Sequence, residues 1–150
     1  MTWRSHRLLT GVTVLLVTHD VWFTLSSVCG STFPDRVEQV GLGDWRRYHR
    51  KLSHWFVLYV FLLGLVEVFS VVFGEQLQFL LFLKWFFVGC LCHILEDAVS
   101  GRVPVWSPGK SKQVLPRLCY TGSLKEDVIV CFYLVLALGV FYVNYIYGFL

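Results

Sequence analysis

A chain of 150 residues is long enough for one domain, and 56% hydrophobic, 17% aromatic and only 15% charged residues exclude the usual soluble mixture. The net charge of +3 is too small to imply a nucleic-acid partner, and none is expected. The composition is that of a membrane protein, and residues 1–150 are expected to form a single integral membrane domain.

In chain order, Arg4 and Arg7 precede an apolar stretch and Cys29 follows it, an arrangement that imitates a secretory signal. His19 and Asp20 interrupt the apolar run, and Val28 stands where a small residue should precede cleavage. The segment is therefore expected to stay in the mature protein. Residues 8 to 30 read either as one span, which would be the fourth, or as a hairpin of two short helices bent near Thr18, His19 and Asp20. Each arm of such a hairpin would hold about 12 to 14 residues, or roughly 20 Å at 1.5 Å per residue.

Three runs follow, WFVLYVFLLGLVEVFSVVF (55 to 73), LQFLLFLKWFFVGCLCHIL (77 to 95) and VIVCFYLVLALGVFYVNYIYGFL (128 to 150). Each approaches the roughly 20 residues that cross a bilayer. The polar stretch 100 to 127 reads as an ordered loop, because Val103, Val105, Trp106, Leu115 and Leu118 would otherwise face water. Within it, Ser123 and Glu126 have capping-box spacing before the last span. Glu67 and Lys84 fall inside the first two long runs, and a mutual ion pair is their expected role.

Lysine and arginine collect in short cytoplasmic loops. With a single N-terminal span, stretches 31–54 and 96–127 share one side with ten positive residues and leave Arg4 and Arg7 opposite. With a hairpin, all twelve positive residues outside the spans lie on one side. The hairpin is preferred, giving an all-α polytopic membrane bundle with three spanning helices and an N-terminal short-helix hairpin. Five cysteines, four of them in or beside apolar segments, read as small buried hydrophobes rather than a disulfide framework.

The residues with metal-ligand chemistry, His6, Asp35, Glu38, His49, His54, His93 and Asp97, all fall at the cytoplasmic mouth of the hairpin arrangement. His93 and Asp97 are four apart and Asp35 and Glu38 three apart, so each pair shares a helix face. His49 and His54 are five apart, about 140° around a helix, and can share a centre only if one precedes the helix. Ser53 or a neighbour would then start it. Imidazole and carboxylate ligands suit zinc first, with manganese and iron as alternatives, and the set suffices for two or three ions.

Four segments in order, SHRLLTG (5 to 11), TFPDRVE (32 to 38), HRKLSHW (49 to 55) and HILEDAVSGRVPVWSP (93 to 108), resemble the YdjM-like family of membrane-bound metal-dependent hydrolases. That family is distantly similar to the zinc-dependent phospholipase C and nuclease superfamily. The resemblance implies an all-helical membrane protein of the bacterial inner membrane, with His6, Asp35, His49, His54, His93 and Asp97 at the matching metal positions. Lys51, Ser53 and Trp55 depart from the family's glycine, threonine and serine. Val37 replaces its second aspartate, with Glu38 one place later.

The expected activity is hydrolysis of a phosphoester in a phospholipid or lipid-linked substrate by a metal-activated water at the cytoplasmic face. Asp35, Glu38 or Asp97 would take the proton, and Arg50 and Lys51 would hold the substrate phosphate. Membrane lipids are the expected partners, with a homo-oligomer or larger membrane complex beside them. The alternative is a non-catalytic membrane subunit with a structural metal site. An open coordination position separates the two.

Overall fold

The computed structural model describes residues 1–41, 51–74 and 78–147. Over them the chain is helical, with six α-helices: α1 Trp3–Thr18, α2 Val21–Gly30, α3 Phe33–Gly41, α4 Phe56–Phe73, α5 Gln78–Ser100 and α6 Leu124–Tyr147. A 3-10 turn, Leu52–His54, precedes α4. Among the described residues α4, α5 and α6 are long and apolar enough to cross a membrane. Their outer faces expose large apolar side chains such as Val71, Phe79 and Leu138, which suits a lipid environment.

The N-terminal segment is a hairpin, with arms of 16 and 10 residues rather than two of equal length. Its turn lies at His19 and Asp20. His19 adopts the left-handed conformation (φ 53°) and its N–H bonds Leu15 O at 2.9 Å, ending α1. Asp20 starts α2, its carboxylate accepting from the N–H groups of Trp22 (2.7 Å) and Phe23 (2.9 Å). The two polar residues that interrupt the apolar run are thus the two caps of the turn.

Helix α2 makes its most extensive packing against α5, through small residues that let the backbones meet. A Cβ on Gly30 would strike the Phe86 carbonyl, and one on Gly89 would strike the Ser27 carbonyl. Ser26 Oγ donates to Phe82 O at 2.6 Å, and Cys90 Sγ donates to Gly30 O at 3.3 Å. Cys90 is buried in this contact, consistent with cysteine as a small packing residue. Helix α5 also packs on α4 around Tyr59, Cys90, Ile94, Ala98 and Val103. Glu67 and Lys84 join α4 to α5 by an ion pair of 2.6 Å.

The loop 101–123 folds back on the end of α5. Leu118 N–H bonds Val99 O (3.0 Å) and Gln113 Nε2 bonds Ala98 O (3.2 Å), while Val103 and Lys112 form a reciprocal backbone bridge. Val103 is buried, whereas Trp106 is 80% exposed and Leu118 57% exposed. Pro104 O accepts the N–H of Phe56 at 3.1 Å, so the loop supplies a partner for an otherwise open donor at the start of α4.

Ser123 caps α6, its Oγ accepting from Glu126 N–H at 3.4 Å. The reciprocal half of the capping box does not form, because Ser123 N–H is already bonded to Tyr120 O at 3.0 Å. The buried Glu126 carboxylate turns instead to Gly122 N–H (2.8 Å), Thr2 N–H (2.7 Å), Thr2 Oγ1 (2.9 Å) and Ser5 Oγ. The first turn of the last span is thereby tied to the first turn of α1.

The α2–α5 contact sets a stability test. Gly30→Val and Gly89→Val should each lower stability by about 2 kcal/mol or more, since backbone rather than a mobile side chain blocks the added carbon. Gly64→Ala, whose added carbon meets nothing within 4 Å, should be neutral or stabilising by up to ~1 kcal/mol. Reversible unfolding of the reconstituted protein measures all three.

Candidate metal centre

Five side chains from four elements converge at one end of α5: His6 of α1, Asp35 of α3, His54 of the 3-10 turn, and His93 and Asp97 of α5. The three histidines and Asp97 are buried. Each arrives for a local reason. The one-face spacing of His93 and Asp97 holds, and both turn inward on α5. Asp35 follows Pro34 in the first turn of α3, where a fixed proline φ suits a helix start. His54 precedes α4, since Trp55 begins that helix with an extended backbone.

Every imidazole is held by its Nδ1. His93 Nδ1 meets the Ser31 carbonyl at 2.6 Å, His54 Nδ1 meets Glu38 Oε1 at 3.2 Å, and His6 Nδ1 meets Glu96 Oε2 at 2.5 Å. A carbonyl or carboxylate only accepts, so Nδ1 carries the proton in each ring. In the neutral rings Nε2 is then a bare lone pair. The three Nε2 atoms all face the interior of the cluster.

There they meet each other and the carboxylates. His54 Nε2 and His93 Nε2 are 3.0 Å apart. Asp35 Oδ1 lies 3.3 Å from His54 Nε2 and 3.7 Å from His93 Nε2, and Asp97 Oδ2 lies 3.6 and 3.8 Å from the same two atoms. Bonds of 2.0–2.1 Å in a tetrahedron place neighbouring ligand atoms roughly 3.3 Å apart. Asp35 Oδ1, His54 Nε2 and His93 Nε2 therefore have nearly the spacing of three ligands of a tetrahedral ion, with Asp97 Oδ2 within 3.8 Å of both nitrogens.

Asp97 also turns outward on its other side. Its Oδ1 lies 3.4 Å from His6 Nε2 and pairs with the Met1 amino group, which bonds Ser100 Oγ at 3.1 Å. His6, His93 and Asp97 thus form a second group with metal-ligand chemistry. His93 belongs to both groups but has one Nε2 lone pair, so it serves one ion at a time.

Two buried atoms, His6 Nε2 and Asp35 Oδ1, have no hydrogen-bond partner among the described residues. Such orphans are costly unless a cation or proton meets them. Protons are drawn in where no cation is present. Burial lowers the His54 pKa, but the adjacent Asp35 and Glu38 carboxylates outweigh it and raise the ring to about 8. Burial raises the Asp35 pKa, yet the adjacent His54 and His93 rings bring it down to about 2. The site is built for positive charge.

The remaining expected residues fall differently. Glu38 stands behind His54, on Nδ1, and also accepts from Ser53 Oγ. Ser53 does not start the helix; its hydroxyl serves Glu38 and its carbonyl accepts from Tyr59 OH at 2.8 Å. Lys51 lines an apolar cavity beside Glu38 and Ser53. His49 and Arg50 lie outside the described residues.

Sequence reasoning missed the groups that hold the ligands: Glu96 behind His6, the Ser31 carbonyl behind His93, and Trp3, whose Nε1 donates to Asp35 Oδ2 at 2.8 Å. Glu96 had a signal, a carboxylate one residue before Asp97. The Ser31 carbonyl had none, being backbone.

Neither the curated proteins nor the solved structures offer a match to the chain. Residues 1–147 match the YdjM inner membrane protein family, a span that takes in every residue of the histidine and aspartate cluster. The chain belongs to the YdjM inner membrane protein family.

Proposed function

We propose that this protein is a membrane-embedded metal-dependent hydrolase acting on a phosphoester at the cytoplasmic face of the inner membrane, with zinc the first choice of ion. The observation that carries the reading is Asp97, whose two oxygens face different histidines, His6 on one side and His54 with His93 on the other. A carboxylate so placed suits a pair of ions. His54, His93, Asp35 and Asp97 would hold the first, while His6 and the other oxygen of Asp97 would begin a second site with fewer protein ligands. When bound, the ions would activate water and neutralise charge developing on the phosphoryl group.

The chain's own residues do the rest. Glu96, Glu38 and the Ser31 carbonyl hold the three rings with Nε2 inward, which fixes their orientation and raises their basicity. Glu38 is thus a positioning residue. Asp35 and Asp97 are the carboxylates that would face the reacting space. Serine and cysteine are not needed as nucleophiles.

One observation favours the alternative of a structural brace. Should Asp35, His54, His93 and Asp97 all bind the first ion, the filled tetrahedron would leave no place for water. The second site decides between the two readings.

Metal analysis of the purified protein should find two divalent ions. His93→Ala and Asp97→Ala should remove the first and weaken the second, whereas His6→Ala should remove the second alone. A wild-type protein without bound transition metal would overturn the proposal.

Glu38→Gln and Glu96→Gln keep the fold and the ligands, and should each cost about 10–100-fold in metal affinity or activity. Phosphoester cleavage in lipid nanodiscs with added zinc, manganese or iron provides the second readout. Two bound ions with no cleavage would favour the brace.

The orientation has its own check. A membrane-impermeant thiol reagent should label Lys112→Cys, in a chain whose native cysteines are replaced, only from the cytoplasmic side. Labelling from outside would invert the topology.

A further inference from the structure

A cavity of about 730 Å³ lies beside the cluster, between α3, the 3-10 turn, α4 and α5. Its walls are apolar, formed by Leu58, Tyr59 and Leu62 of α4, Phe86 and Phe87 of α5, and Val37 of α3. The polar part of the lining is Lys51, Ser53 and Glu38. Glu38 and Ser53 are bonded to each other and to Nδ1 of His54. One side chain therefore separates the cavity from the inward-facing nitrogens. A volume of this size is typical of a site for a small molecule rather than a packing defect.

A smaller hollow of about 370 Å³ shares Phe33 and Phe86 with the cavity and is lined by Arg7, Arg36 and Thr32. Phe33 and Phe86 meet edge to face, with centroids 5.1 Å apart, and form the common wall. Arg7 follows His6 and Arg36 follows Asp35 in the chain, and both side chains line this one hollow. Among the described residues neither has a carboxylate partner; Arg36 lies over the Trp3 ring at 5.8 Å. An unpaired pair of guanidinium groups suits a phosphate, which they bind in bidentate fashion.

We propose that the two hollows together form the seat of one anionic membrane phospholipid, with an acyl chain in the cavity between α4 and α5 and the phosphate at Arg7 and Arg36. The occupant is a lipid because α4 and α5 are spanning helices, so the cavity opens where acyl chains are the solvent. It is anionic because, among the described residues, the unpaired charges lining the smaller hollow are those of Arg7 and Arg36. That this lipid is the substrate rests on the hydrolase reading; that it is seated here does not. Leu62 and Leu58 are then the residues that set chain length, and Arg7 and Arg36 those that select the headgroup.

The test uses the full chain in nanodiscs containing phosphatidylglycerol with a diazirine at the end of one acyl chain, followed by peptide mapping after illumination. Adducts should concentrate on residues 58–62 and 86–87 over the outward faces of α4 and α6. Leu62→Trp and Leu58→Trp, which fill the cavity, should lower those adducts about tenfold while leaving bound metal unchanged. Retained metal shows that each variant is folded, and two variants guard against the loss of either. Arg7→Gln with Arg36→Gln should remove the preference for phosphatidylglycerol over phosphatidylcholine carrying the same probe.

Adducts spread evenly over the outer faces, or undiminished in both tryptophan variants, would overturn the seat. An equal yield from both headgroups in the wild type would overturn the anionic assignment. Cavity adducts in a metal-loaded protein that cleaves no phosphoester would support the seat and count against the hydrolase.

Discussion

Everything in this protein leans on one electrostatic demand: lone pairs and carboxylate oxygens have been gathered where water cannot reach them. His54 Nε2 and His93 Nε2 face each other at 3.0 Å, and their other nitrogens are committed to acceptors. Two such lone pairs repel. The arrangement becomes favourable when positive charge stands between them, and buried groups of this kind are otherwise among the costliest features a fold can carry. Four separate elements accept that cost together, and the cluster ties α1, α3, the 3-10 turn and α5 to one another.

The supporting contacts follow from that demand. The hairpin turn at His19 and Asp20 returns α2 toward the level where α1 began, so that α3 can bring Asp35 back to His6. Glu126 ties the start of α6 to Thr2 and Ser5, which fixes the turn of α1 that carries His6. Pro104 O receives the first N–H of α4 and so settles the chain just after His54. Each of these bonds is remote from the cluster and acts on the angle at which one of its side chains arrives. The Glu67–Lys84 pair belongs to the other end of the α4–α5 hairpin, where it neutralises two charges within the spans.

Much of this was legible in the residues. The three spans follow from length and apolarity, and the hairpin from the combined evidence of charge placement and an ionisable pair inside an apolar run. His93 and Asp97 share a face because a helix repeats every 3.6 residues, and that held without modification. What could not be read is which side of an imidazole a carboxylate will occupy. Glu38 has the chemistry of a ligand, but α3 carries it past His54 and leaves it on Nδ1, a matter of helix placement that spacing does not encode. Glu126 illustrates a second limit: its local partner was already engaged with Tyr120, so a long-range set of donors claimed it instead.

The glycine contact between α2 and α5 has a consequence for the chemistry of the histidine cluster. Gly30 is followed directly by Ser31, whose carbonyl orients His93, and Gly89 lies one helical turn before that same histidine. The separation of two backbones, set by the absence of two side chains, therefore governs how strongly the carbonyl pulls on the ring's proton, and through it how much electron density reaches the opposite nitrogen. Residues with no functional group of their own thus act as tuning elements for the basicity of His93 Nε2.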